Sequence, residues 1–196
     1  MGNAVMNEKK IIITVAVLFL FLTALFCFIY FQTGSNAVFS CAITFGTIAY
    51  HFVMRLCVGG VFNKLMNNKA DYTKKWYQQR QCEKQLYKKL KVKQWKNKMV
   101  TFDPDLFDPE KHSLDEIVQA MCQAELVHET IIILSFVPIL ASVRVGALPV
   151  FVITSVLAAC LDLVSVIIQR FNRPRVIKLI EREKTENAAD EKYIRK

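Results

Sequence analysis

The sequence lacks the motifs that most readily betray chemistry. It has no GxSxG, no P-loop and no GxGxxG. A nucleophile elbow, a Walker-type phosphate cradle and a Rossmann dinucleotide turn are thereby excluded in their motif forms. Six cysteines are present, but none forms a CxxC pair, so neither a zinc site nor a disulfide framework is expected. Five of them lie in apolar runs, where a thiol serves as a small buried side chain. Charge is also missing over long stretches. Between Ile11 and Phe31 there is no ionisable acid or base other than one cysteine and one tyrosine.

What is there comes in blocks. The 196 residues are 53% hydrophobic, yet the net charge is +9. A soluble core would show short apolar runs interrupted every few residues. Here the runs are long. Residues 11–31 are enough, at about 1.5 Å per residue, to cross a hydrocarbon core of roughly 30 Å. Similar runs occupy 37–62, 117–141 and 147–169. Each holds only a few ionisable groups. The expected fold is therefore an all-α integral membrane protein with four transmembrane helices in one membrane domain, residues 1–184. A charged tail follows at 185–196. The first run exceeds a signal peptide's apolar region of about 7–15 residues, so it reads as a retained helix. Lys and Arg are concentrated in 63–116 and after Gln169, and the other two links carry only Arg144. By the positive-inside rule both termini and the middle segment are expected in the cytoplasm.

The middle segment reads DYTKKWYQQRQCEKQLYKKLKVKQWKNK. Trp76, Arg80, Glu83, Tyr87 and Leu90 are spaced for a helix. A basic amphipathic helix over about 71–98 is expected at the interface, lysines toward anionic lipid. Positive-inside bias accounts for the charge, so nucleic acid is not an expected partner. Two Asp-Pro steps then break regular structure. Ser113 and Glu116 have capping-box spacing and mark the start of the third membrane helix.

Ionisable groups inside a bilayer are costly and usually face a bundle interior. The second run has His51 and Arg55. The third carries QAELVHET, with Glu125, His128 and Glu129, and the fourth has Asp162. Counted from the cytoplasmic ends, Arg55 lies about 10 Å deep, Glu125 and Asp162 about 12 Å, and His51 and His128 about 16 Å. One shared polar layer is expected. Glu125 and His128, three apart, point to one side, which makes His128 a candidate general base oriented by Glu125. His51, Arg55, Glu129 and Asp162 are candidate support. The alternative is a structural polar cluster without chemistry. ExxH occurs once, whereas di-iron bundles need it twice, so no metal is expected. After the fourth run comes IQRFNRPR, where Pro174 should end or bend the helix. Arg170, Asn172, Arg173 and Arg175 gather there, suited either to gripping phosphate or to plain anchoring at the headgroups.

HFVMRL, KVKQWKNK, the FDP loop, QAELVHE and IQRFNRPR occur in one order. The patterns VKxWK, AExxH and QRxNRPR are specific together. Over roughly residues 45–180 the chain resembles the bacterial glycosyl-diaponeurosporenoate acyltransferase family of staphyloxanthin-type carotenoid synthesis. The resemblance implies a multi-pass protein of the bacterial cell membrane that moves a fatty acyl chain to a sugar hydroxyl of a glycolipid. It also implies an acyl thioester such as acyl-CoA as co-substrate and no bound cofactor. The HxxxxD pair of soluble glycerolipid acyltransferases is absent. On this reading Arg55 or His51 would meet the oxyanion, and Lys91–Lys98 with the arginine cluster would hold the donor's phosphates. The competing reading is a non-catalytic lipid-binding or assembly protein of envelope synthesis. The sequence does not fix the oligomeric state.

Overall fold

A computed structural model describes residues 2–95 and 104–194. Lys96, Lys98 and the first part of the FDP loop lie outside the described residues. Among the described residues the regular elements are all helices. They are α1 (Gly2–Thr33), α2 (Asn36–Met66), α3 (Gln81–Lys89), α4 (Leu114–Leu134), α5 (Pro138–Val145) and α6 (Leu148–Ile194). Short 3-10 turns occur at Lys75–Tyr77, Val92–Gln94 and Pro104–Phe107.

Four segments are long and apolar enough to cross a membrane: Lys10–Thr33, Asn36–Met66, Leu114–Val145 and Leu148–Ala189. On α1, Val17, Phe21 and Phe28 are each more than half exposed, as is Leu161 on α6. Apolar surface of this extent is stable only against lipid. The protein is therefore a membrane protein.

Contacts divide the chain into two compact units. The first comprises residues 1–64 and 127–163. Within it α1 turns into α2 through Gly34, whose φ of +62° is a left-handed cap. Phe45 packs against Phe19 and Phe26, with centroids 6.0 and 5.1 Å apart. Gly46 lets α1 come close, since a Cβ there would sit 3.3 Å from Thr23 Cγ2. Met54, Val58 and Ile131 form a small apolar core. The expected third span, 117–141, is interrupted. Pro138 has no N–H to give the Leu134 carbonyl, so α4 ends and α5 begins with proline in its first turn. The Leu134 carbonyl instead accepts the Tyr50 hydroxyl at 2.9 Å, besides the Val137 N–H.

The second unit comprises residues 65–126 and 164–196. The capping box appears as expected. Glu116 accepts the Ser113 N–H at 2.9 Å, and Ser113 Oγ accepts the Glu116 N–H at 3.3 Å. The single helix expected over 71–98 is replaced by a nine-residue α3 between two 3-10 turns. Arg80 is extended, and Lys91 adopts φ +52°, which ends helical geometry on that side. Tyr77, Tyr87 and Val92 are drawn into the core of the unit. Pro174 does not end the fourth membrane helix, because α6 runs through it. The missing bond is the one to the Arg170 carbonyl. Side chains on both sides of that gap, Arg170 and Arg173, are fastened to Glu125. Residues 185–189 of the charged tail are an exposed continuation of α6.

Candidate functional site

The ionisable side chains expected in one layer fall into two clusters, one in each unit. In the first, Asp162 of α6 is nearly buried, with 4% exposure. Its Oδ2 accepts Arg55 of α2. Its Oδ1 lies 2.8 Å from Nδ1 of His128 on α4. Arg55 also donates to the carbonyls of His51 at 3.1 Å and Ala158 at 3.2 Å. In the neutral tautomer whose Nδ1–H donates to a carboxylate, Nε2 is the acceptor nitrogen. His128 keeps 30% exposure. The cluster thus holds an imidazole against a buried carboxylate while leaving part of the ring exposed. It is backed by a buried carboxylate that can stabilise an imidazolium.

His51 is 5% exposed, its ring edge-on to Tyr50 at 5.5 Å. Neither of its ring nitrogens has a hydrogen-bond partner among the described residues. Glu129 is half-buried and holds an interaction of its own.

In the second cluster Glu125 is fully buried. One oxygen accepts Arg170 Nη1 and the other accepts Arg173 Nη2. Arg170 also pairs with Glu83 of α3 at 2.9 Å and donates to the carbonyls of Trp76 and Gln78. Arg173, 1% exposed, donates to the Tyr77 carbonyl at 2.8 Å and lies over the Tyr77 ring. Glu125 therefore is not the carboxylate at His128 Nδ1. That place is taken by Asp162, because two arginines engage both Glu125 oxygens. Glu83 belongs to this network, whereas the sequence marked it only as a helix position. It is the one carboxylate among the basic residues from Tyr72 to Lys98, a signal that could have singled it out. Of the remaining arginine-motif residues, Asn172 is half-buried. Arg175 is exposed, its guanidinium 4.0 Å above the Phe171 ring. Lys91 and Lys93 are exposed as well.

Fold and clusters together define a helical membrane protein whose spans carry a carboxylate-backed histidine. The family model of glycosyl-4,4'-diaponeurosporenoate acyltransferase matches residues 73–182, more than half of the chain. The chain belongs to this acyltransferase family of carotenoid biosynthesis. His128, Asp162, Glu125 and the arginine motif lie inside the matched residues, whereas His51 and Arg55 precede them. No curated protein and no solved structure matches the chain.

Proposed function

We propose that this protein transfers a fatty acyl chain from an acyl thioester such as acyl-CoA to a sugar hydroxyl of a glycosylated membrane lipid. His128 is the general base. The observation that carries the reading is the His128–Asp162 pair, set within membrane-spanning helices of an acyltransferase family member.

The acceptor hydroxyl gives its proton to His128 Nε2 as its oxygen attacks the thioester carbon. Asp162 holds the imidazolium that results. The tetrahedral oxyanion then collapses, the C–S bond breaks, and the thiolate takes the proton back from His128. A positioned base of this kind is worth about 100- to 10,000-fold in rate. Arg55 is half-buried beside the pair and carries N–H groups beyond those already bonded, which suits it to the oxyanion. Exposed Arg175, Lys91 and Lys93 and half-buried Asn172 have the chemistry to hold the phosphates of a coenzyme A donor. The family name points to a carotenoid glycoside as acceptor and to the bacterial cell membrane as location. Lys and Arg counts support cytoplasmic termini.

Lipid mass spectrometry tests this. Cells carrying wild type or His128→Ala, matched for membrane level, are compared. A glycolipid that gains one acyl chain only with wild type is expected. Equal acylation by the variant removes His128 as the base. No acylation by either folded protein turns the reading to a non-catalytic lipid-binding or assembly protein, with the cluster as packing.

A further inference from the structure

Buried polar atoms without partners are uncommon, and each asks for an explanation. The first unit has such atoms on two residues: both ring nitrogens of His51 and Oγ of Ser155. His51 is 5% exposed and Ser155 is fully buried. Arg55 ties their helices together. On α2 its guanidinium bonds the carbonyl of His51 itself, and on α6 it bonds the carbonyl of Ala158. Ser155 lies three residues before Ala158, on the stripe of α6 that also presents Asp162. The unpartnered atoms therefore belong to the helical turns next to the Arg55–Asp162–His128 cluster.

Their chemistry narrows the ligand. A neutral imidazole offers one donor and one acceptor, and a serine hydroxyl offers both. A thioester carbonyl only accepts, so it would leave an imidazole acceptor unmet. An anion would also only accept, and the cation beside it, Arg55, is already paired with Asp162. A hydroxyl both donates and accepts, and a sugar presents several at adjacent carbons.

We propose that His51 and Ser155 form a sugar-binding station that holds hydroxyls of the glycoside acceptor next to His128. This rests on the proposed acyl transfer for its setting. It adds two acceptor-binding residues, His51 and Ser155.

The test uses the full chain in lipid nanodiscs and tritiated octyl glucoside below its micelle-forming concentration. Tritiated octanol is the sugar-free control. Wild type, Ser155→Ala and His51→Phe are compared. Saturable glucoside binding is expected for wild type, about tenfold weaker for either variant, the loss of a buried hydrogen bond. Octanol should partition equally into all three. Thermal melting is the second readout. Ser155→Ala removes an unpartnered hydroxyl, so its melting temperature without glucoside should stay level or rise while its glucoside affinity falls. A merely structural serine could not give that pair of signs. Unchanged glucoside affinity in Ser155→Ala overturns the station, as it would if an enclosed water satisfied these groups. Wild-type binding no better than that of octanol overturns it too. The two readings fail separately. Glucoside binding that depends on these residues without acyl transfer keeps the station and loses the reaction. Acyl transfer with glucoside binding blind to both substitutions does the reverse.

Discussion

Glu125→Ala should unfold the second unit at a markedly lower temperature. The Glu125 carboxylate is fully buried and accepts one arginine on each oxygen. Arg170 retains Glu83 after the substitution. Arg173 does not, since its other described bond is to the Tyr77 carbonyl, and it is 1% exposed. The variant strands a guanidinium away from water. Removing one partner of a buried ion pair costs about 3–5 kcal/mol. For a chain of this length each kcal/mol is worth about 2–4 °C, so a fall of about 6–20 °C is expected. Tryptophan fluorescence is the natural assay. Both tryptophans, Trp76 and Trp95, lie in the second unit, and Arg170 bonds the Trp76 carbonyl at 3.1 Å. Glu125→Gln keeps an acceptor and should fall less. If Glu125→Ala melted within about 2 °C of wild type, the arginines would have other means of support and the reasoning would be refuted. Loss of acyl transfer without a melting shift would restore Glu125 to a role at the reacting groups.

Two further outcomes are expected. Asp162→Asn removes the charge behind His128 and should lower acyl transfer at least about 100-fold with the acceptor KM nearly unchanged, measured by initial rates in nanodiscs; wild-type turnover would exclude Asp162 as the positioning residue. Tyr72 donates to Asp115 at 2.7 Å, and this bond holds its phenol above the ordinary value of 10.0. The folded state thus binds this proton more tightly than the unfolded state. The stabilisation is complete below pH 10 and is lost as pH climbs through the raised value. The melting difference between wild type and Tyr72→Phe should be flat up to about pH 10 and shrink above it; a difference that grew with pH would reverse the sign.

The membrane spans were legible because hydrocarbon thickness sets a length that apolar runs either reach or miss. The start of α4 was legible because a capping box is a local device written in four residues. Pairing was not. His128 has Glu125 three residues before it on one helix, but the carboxylate at its Nδ1 comes from α6, at Asp162. Spacing reports which residues share a face, and it is silent on which neighbouring helix answers that face. Of the two outcomes expected at Pro174, the end of the helix does not occur, for a related reason. The rule that proline ends a helix concerns local bonds. At this position Arg170 and Arg173 are held from outside the helix by Glu125. Glu83 shows the converse, a single acid in a basic segment whose meaning depends on Arg170, far away in sequence.

Charge balance separates the roles of the two clusters. Arg170 and Arg173 are matched by Glu83 and Glu125, so the second cluster sums to zero and its buried carboxylate has both oxygens engaged. A guanidinium does not release its proton at any working pH. Such a network can fasten helices but cannot shuttle protons. In the first cluster Arg55 and Asp162 also sum to zero, and His128 is added as a group able to gain and lose a proton. Arg170 and Arg173, though the more conspicuous in sequence, are thus suited to holding the fold, and the sparer His128–Asp162 pair is suited to acyl transfer.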